Sequence, residues 1–227
     1  MNQGYEIRSF QDDINIDRES RHITGYALVF NCQSRDLGGY TEVIERSALT
    51  EDILTHSDII ALFNHDMSRG PLARSRNGKG TLTLTIDDHG LRYDFEAPHT
   101  TLGDELIEYI SRGDIYGSSF GFQIEDGELT RSADGQFVYV IRKFKQLFDI
   151  SPVIRPAYEQ TEVMKRSIED AKNTILTEEE QQQLREEKTQ EETTTEQVKE
   201  EPQVKEEPTQ QKEDLSGYFS DLRSKLA

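Results

Sequence analysis

The chain has 227 residues, a formal net charge of −18 and only 33% hydrophobic residues. This acidic balance argues against a general nucleic-acid binder, because contacts with phosphates need patches of Lys and Arg. A single cysteine, Cys32, excludes an internal disulfide framework and fits a reducing compartment.

The average composition combines two unlike parts. Residues 1–165 contain 17 Lys and Arg against 27 Asp and Glu, a net of −10, and enough apolar side chains for one core. Residues 166–227 contain 9 against 17, a net of −8 in a much shorter stretch. We therefore predict a folded domain over 1–165, an acidic low-complexity tail over 166–214 that is disordered or transiently helical, and a short amphipathic helix over 215–227.

The sequence predicts neither secretion nor a membrane segment. The first residues lack the basic and apolar regions of a signal peptide. No apolar run approaches the roughly 20 residues that are needed to cross a bilayer. We expect a soluble, intracellular protein.

Most predicted elements in the first half of the domain are strands. Short apolar or alternating runs predict strands over 5–10, 14–16, 23–30, 41–46 and 58–63. Ser47 is the predicted N-cap of a helix over 48–54. The clearest hairpin joins 82–86 to 91–95, because apolar residues alternate with polar ones on both sides of the turn at 87–90.

The second half of the domain adds one clear helix and further strands. Apolar residues at helical spacing predict a helix over 102–111, with a capping box formed by Thr101 and Asp104 and an end at Gly113. Strands are predicted over 115–124, 137–141 and 147–153. These patterns predict an α+β domain built on a mostly antiparallel, barrel-like sheet with a few helices.

Three residues beside strand-like runs have the chemical types that nucleophilic hydrolysis needs. Ser119 lies in a predicted strand, His65 lies 54 residues upstream, and Asp149 lies 30 residues downstream. A serine hydroxyl becomes a good nucleophile when an imidazole takes its proton, and an acid orients that imidazole and stabilises its charged form. We therefore regard Ser119 as a candidate nucleophile, His65 as a candidate base and Asp149 as a candidate orienting acid. This chemistry requires no metal and no cofactor.

Spacing alone also fits plainer interpretations. Ser118 and Ser119 are small enough simply to pack in a tight sheet, and His65 can be a loop histidine capped by Asp66 or Asn64. Asp149 can face solvent on an alternating strand. Asp66 is a less natural orienting acid than Asp149, because neighbours on a strand point to opposite faces. A metal site around His65 lacks the spacing of common zinc motifs.

Nine short motifs occur along the chain in a set order. They are Gly25-Tyr26-Ala27, Val29-Phe30-Asn31, Leu62-Phe63-Asn64-His65-Asp66, Pro71-Leu72-Ala73-Arg74, Gly80-Thr81-Leu82, Asp88-His89-Gly90-Leu91, Ser119-Phe120-Gly121-Phe122, Ser151-Pro152-Val153 and Pro156-Ala157-Tyr158. Each motif is weak by itself. Together, over about residues 20–165, they resemble the tailed-phage (caudovirus) prohead serine proteases, which are similar in fold to the herpesvirus assembly proteases.

The resemblance implies a serine protease that matures phage capsids. It places the family's histidine on His65 and its nucleophile on the serine directly before Phe-Gly-Phe, which is Ser119 rather than Ser118. Members of the family often carry an acid just before the Ser-x-Val segment, which is Asp149 here. The herpesvirus relatives use a second histidine as the third residue, and no histidine stands near Asp149 in this sequence.

The resemblance also implies where the protein works and with what. Such proteases are packaged inside the prohead in the host bacterial cytoplasm. They cleave scaffold protein or the scaffolding segment of the major capsid protein, and often themselves. The tail over 166–214 is then a natural site of self-cleavage, and the helix over 215–227 a docking element for scaffold or capsid protein. A homodimer is compatible with this scheme, whereas nucleic acid and membranes are not expected partners.

Two other interpretations predict different behaviour. A catalytically silent scaffold or assembly factor on the same fold would keep the architecture without the reaction. An unrelated β-barrel binding module would use His65 and Ser119 structurally, and would place their side chains far apart.

Overall fold

The described part of the chain has an α+β architecture, as the sequence predicts. A computed structural model describes residues 5–10, 14–154, 162–177 and residue 180. Its strands are β1 (Glu6–Phe10), β2 (Asn15–Asp17), β3 (His22–Val29), β4 (Thr41–Ile44), β5 (Asp58–Ala61), β6 (Ala73–Arg76), β7 (Lys79–Gly80), β8 (Leu82–Ile86), β9 (Gly90–Glu96), β10 (Gly117–Arg131) and β11 (Phe137–Val153). Its α-helices are α1 (Glu51–His56), α2 (Thr101–Arg112) and α3 (Glu162–Ile175).

The strands form two sheets that share one core. The first sheet has the order β1-β10-β11-β5-β6-β7, with β4 also paired to β11, and the second has the order β2-β3-β9-β8. The main cluster of buried apolar residues draws on both sheets, for example Leu28 and Phe95 from the second and Phe120 and Ile150 from the first. Burial on this shared core covers one face of each sheet.

The predicted barrel is wrong, because neither sheet closes on itself among the described strands. A barrel needs its first and last strands to pair, whereas β1 and β7 lie at opposite ends of the first sheet. The prediction of mostly antiparallel pairing is correct, but β11 also pairs in parallel with β4 and with β5. The second of these parallel pairs matters for the site described below.

One long hairpin dominates the first sheet. Strands β10 and β11 pair in antiparallel fashion from Gly117 and Val153 to a turn at 132–135. The sequence predicted a break between 141 and 147, where charged residues cluster. The strand continues through this stretch, and its charged side chains form ion pairs with β10: Arg142 with Glu128 at 2.6 Å and Lys143 with Glu125 at 3.0 Å.

The helix positions were predicted better than their caps. Helix α1 begins after Thr50, whose side chain accepts a hydrogen bond from the Ile53 amide, so Ser47 is not its N-cap. Helix α2 begins after Thr100, whose side chain accepts from the amide of Gly103, so the predicted box at Thr101 is one residue late. In both cases the cap is the last residue with an extended backbone. Gly113, with a left-handed φ of 78°, ends α2 as predicted.

Helix α3 extends the folded part beyond the predicted boundary at residue 165. Its buried residues Met164 and Ile168 pack with Tyr40 and Leu129 in a second, smaller apolar cluster. The first compact unit of the chain accordingly runs to Thr177. The predicted tail after residue 180, the predicted helix over 215–227 and the motif at 156–158 lie outside the described residues.

Within the described residues, no helix is both long and apolar enough to cross a membrane.

Candidate active site

His65 lies in a short segment that stays tied to the first sheet after strand β5 ends. The Leu62 amide donates to the carbonyl of Ile150 at 2.9 Å, and the Asn64 amide donates to the carbonyl of Pro152 at 3.0 Å. Asn64 and His65 then both take the left-handed backbone region, with φ values of 55° and 59°. Two consecutive non-glycine residues in this region are uncommon and costly, and such conformations concentrate at functional sites.

The imidazole of His65 lies between the other two predicted residues. Its Nδ1 atom is 2.6 Å from Oδ1 of Asp149, and its Nε2 atom is 2.6 Å from Oγ of Ser119. Both distances are within hydrogen-bond reach. The structure therefore brings together three side chains that the sequence separates by up to 84 positions.

The pairing of β10 with β11 explains why these residues meet. Ser119 lies directly opposite Ser151 in the antiparallel register, so their side chains share a face. Asp149 is two residues before Ser151 and lies on that same face, because side chains alternate along a strand. The parallel pairing of β5 with β11, which sets Ile60 opposite Asp149, brings the His65 segment alongside.

Neighbouring residues that the sequence left as alternatives have other contacts. The hydroxyl of Ser118 lies 2.9 Å from the hydroxyl of Tyr93, in the buried interior. Asp66 accepts hydrogen bonds from the side chain and the backbone of Ser68, at 2.6 and 2.9 Å, and these bonds lower the pKa of the Asp66 carboxyl. Of these four candidates, Ser119 and Asp149 are the two whose side chains contact the His65 ring.

The cluster is mostly closed to solvent. Ser119 is 0% exposed, Asp149 is 4% exposed and the side chain of His65 is 17% exposed. In such surroundings electrostatic interactions are stronger than in water, which favours proton transfer between fixed partners. It also means that a peptide can reach the Ser119 hydroxyl only after a local rearrangement.

The hydroxyl of Ser119 has two neighbours that compete for its proton. Besides His65 Nε2, it contacts the backbone carbonyl oxygen of Arg8 on strand β1 at 2.9 Å. A hydroxyl carries one hydrogen, and a carbonyl can only accept. When Ser119 donates to Arg8, His65 Nε2 must donate to Ser119, and when Ser119 donates to His65, the nucleophile is poised for attack.

Sequence reasoning assigned no role to two hydroxyl groups that complete the surroundings of Asp149. Ser151 donates to Asp149 Oδ1 at 3.0 Å and accepts from the His65 amide at 3.2 Å. Its position two residues after Asp149 was a usable signal, since the two side chains share a face. The hydroxyl of Tyr5 donates to Asp149 Oδ2 from 144 positions away, and no sequence pattern connects these two residues.

Among the described residues, no group of three or more His, Cys, Asp or Glu side chains is arranged to hold a metal ion.

Comparison with known families gives an independent line of evidence. Residues 6–174 match the family model described as caudovirus prohead serine protease. Searches of the curated proteins and of the solved structures found no match. The chain belongs to the caudovirus prohead serine protease family, and it is a serine protease of phage capsid maturation.

Proposed function

We propose that this prohead protease is an endopeptidase whose acyl-enzyme chemistry is performed by Ser119, His65 and Asp149. The observation that supports the proposal is the position of the His65 ring, whose two nitrogen atoms lie 2.6 Å from the Ser119 hydroxyl and the Asp149 carboxylate. A base that contacts the nucleophile and is itself oriented by a third group has the geometry that nucleophilic hydrolysis needs.

The proposed reaction has two halves. Ser119 Oγ attacks the carbonyl carbon of the substrate, and its proton passes to His65 Nε2. As the carbon–nitrogen bond breaks, His65 gives that proton to the departing amine, which leaves an ester on Ser119. A water molecule then attacks the ester with His65 again accepting and returning a proton, and this releases the acid product and restores Ser119.

Asp149 has a constant role in both halves. It accepts a hydrogen bond from His65 Nδ1, so that Nε2 faces Ser119 without a proton at the start of each half. It also stabilises the positive charge on the imidazole after each proton transfer. In the resting arrangement the Arg8 carbonyl competes for the Ser119 proton, and substrate binding has to shift this hydrogen toward His65.

We propose that the substrates are scaffold protein, or the scaffolding segment of the major capsid protein, and the protease chain itself. Proteases of this family act on capsid or scaffold proteins inside the phage procapsid. The sequence over 178–214 is rich in Glu, Gln, Lys and Thr and contains Val-Lys-Glu-Glu-Pro twice. This low-complexity composition favours it as the self-cleaved segment, with the amphipathic stretch over 215–227 as the docking element.

Intact mass spectrometry over time tests the proposal. Purified wild-type protein and the Ser119→Ala variant would each be incubated alone and with the capsid and scaffold proteins of the same phage. We expect fragments only with wild type, and their masses locate the cut sites. Equal cutting by both proteins would contradict the assignment of Ser119. If neither cuts the partner, even in assembled shells, the catalytically silent assembly factor becomes the better interpretation.

A further inference from the structure

The N-terminal segment of the described chain supplies a hydroxyl group to the Asp149 carboxylate. Tyr5 stands just before strand β1, and its hydroxyl donates to Asp149 Oδ2. Its ring lies against Phe148, with 5.5 Å between the ring centroids. Although 43% of the residue is exposed, the hydroxyl end points into the sheet. Tyr5 is therefore a rim residue whose hydroxyl contacts a buried carboxylate.

Gly121 is the residue that lets this contact form. Strand β10 runs between β1 and β11, and Gly121 lies opposite Ile7 on one side and Asp149 on the other. A Cβ atom at position 121 would lie 2.2 Å from Asp149 Oδ2 and 2.3 Å from the hydroxyl oxygen of Tyr5. Both distances are far below van der Waals contact, so any larger residue would separate the two groups.

The hydrogen bonds of Asp149 divide between its two oxygen atoms. Oδ1 faces His65 Nδ1 at 2.6 Å and accepts from Ser151 at 3.0 Å, while Oδ2 accepts from Tyr5. The Asp149 carboxylate can rotate about the Cβ–Cγ bond, and this rotation would move Oδ1 away from Nδ1 of the imidazole. A donor fixed on Oδ2 resists this rotation and satisfies a buried charge.

We propose that Tyr5 is a positioning residue for the reaction: its hydroxyl holds the Asp149 carboxylate so that Oδ1 faces His65, and Gly121 leaves the space that this contact requires. The inference rests on the proposed roles of Ser119, His65 and Asp149. Burial, followed by the charge of Asp149, raises the pKa of the Tyr5 hydroxyl far above its ordinary value, so the group stays a donor at neutral and moderately alkaline pH.

A merely structural role for Tyr5 would give a different result from a positioning role. Loss of the Tyr5 hydroxyl removes the hydrogen bond on Oδ2, so the Asp149 carboxylate is less well oriented toward His65. The plateau of kcat/KM against pH should then fall in protein that is fully folded. An anchor for strand β1 would change only the fraction of folded protein.

The test compares Tyr5→Phe with Tyr26→Phe in the full-length chain. Tyr26 is a matched control, because its hydroxyl also donates to a carboxylate, that of Asp87 at 2.7 Å, in the hairpin of the second sheet. We expect Tyr5→Phe to lower the plateau of kcat/KM roughly tenfold, mainly through kcat, as supporting residues of other sites do. The Tyr26→Phe profile should overlay wild type. Gly121→Ala should lose more activity than Tyr5→Phe, because its Cβ atom displaces both groups.

A second measurement distinguishes a failure of this inference from a failure of the proposed function. The NMR resonance of the His65 Nδ1 proton, recorded in the Ser119→Ala background, reports the bond to Asp149 without any cleavage. We expect Tyr5→Phe to move this resonance and Tyr26→Phe to leave it in place. If wild type and Ser119→Ala both fail to cut, the proposed function fails, and the resonance alone decides the role of Tyr5. An unmoved resonance, or activity that falls only with the folded fraction, overturns the inference.

Discussion

The two faces of the N-terminal strand carry two buried polar clusters that differ in kind. On one face, Tyr5 contacts the His65 cluster, defined as Ser119, His65, Asp149 and Ser151. On the other face lies the Arg8 cluster, defined as Arg8, Glu6 and Glu42. Here the Arg8 guanidinium donates to both oxygens of Glu42, at 2.5 and 2.8 Å, and to Glu6 at 3.1 Å.

The comparison shows that buried polarity alone does not identify an active site. Burial by itself would lower the pKa of the Arg8 side chain, but the hydrogen bonds and charges of Glu42 and Glu6 raise it overall, so Arg8 stays charged and cannot exchange a proton near neutral pH. The His65 cluster instead joins a serine hydroxyl to an imidazole, the side chain that most often acts as a base in catalysis. We expect the first to hold the strand in place and the second to perform the reaction.

Ser119→Ala should separate activity from stability more clearly than any other variant. It removes the nucleophile and only one small polar atom, so kcat/KM should fall by at least about 10⁴-fold while the free energy of unfolding changes by no more than about 1 kcal/mol. Peptide-cleavage kinetics and urea unfolding measure the two effects. Ser118→Ala is the control, since Ser118 bonds to Tyr93, and it should keep activity within a few-fold. Equal losses for both serines would contradict the account.

Asp149→Asn tests the third member of the cluster. An amide cannot stabilise the charged imidazole, and it can donate to Nδ1 and so favour the wrong tautomer, so we expect kcat/KM to fall about 10⁴-fold. Asp66→Asn is the matched control, because Asp66 only caps the short turn at Met67–Arg69. A tenfold loss or less for Asp149→Asn would assign the orienting role to another group.

The Arg8 cluster should respond to mutation in the opposite way. Arg8→Met leaves two buried carboxylates without their cation, and the free energy of unfolding should fall by about 3–5 kcal/mol. Glu6→Gln leaves the bidentate ion pair between Arg8 and Glu42 intact, so it should lower the free energy of unfolding by a smaller amount. Urea unfolding gives both values. Folded Glu6→Gln protein should keep wild-type kcat/KM. A large loss of kcat/KM in that variant would show that the Arg8 cluster also supports the reaction.

Among these variants, Tyr40→Phe should have the smallest effect on the free energy of unfolding. Its hydroxyl is buried and has no hydrogen-bond partner among the described residues, and burial, followed by the charge of Glu42, raises its pKa. At pH 7 both the folded and the unfolded state are protonated, so Tyr40→Phe should be neutral or stabilise by up to about 1 kcal/mol.

Above pH 10 the sign of the Tyr40 effect follows from linkage. The unfolded phenol ionises while the folded one does not, so wild type loses stability as pH rises, by up to about 1.4 kcal/mol per pH unit for one group. Tyr40→Phe should lose stability less steeply in this range. Urea unfolding between pH 9 and 11.5 measures both slopes, and parallel slopes for the two proteins would show that Tyr40 ionises equally in both states.

Local sequence patterns predicted most of the elements but not how they assemble. The hairpin at 82–95 and the helix ended by Gly113 are confirmed, because alternation and helical spacing are local signals. The parallel pairing of β5 with β11 joins residues about 90 positions apart, and no turn sequence encodes it. The predicted barrel failed for the same reason, since closure depends on which distant edges meet.

The candidate site was predictable only in part. Residue types and an ordered set of motifs indicate Ser119, His65 and Asp149, and the structure places them in contact. Tyr5 was not predictable, because its role depends on a contact across strand β10 and on the missing side chain at Gly121. A glycine in a strand pattern can mark a close approach, but it does not say which groups approach.

The most direct test of the central claim is covalent labelling of the full-length protein with a fluorophosphonate, followed by peptide mapping. If His65 and Asp149 activate Ser119, wild type should gain a single adduct on Ser119. Asp149→Asn should gain it far more slowly, and Ser119→Ala should gain none. An adduct of equal yield in Ser119→Ala, or one that forms at the same rate in Asp149→Asn, would contradict the account.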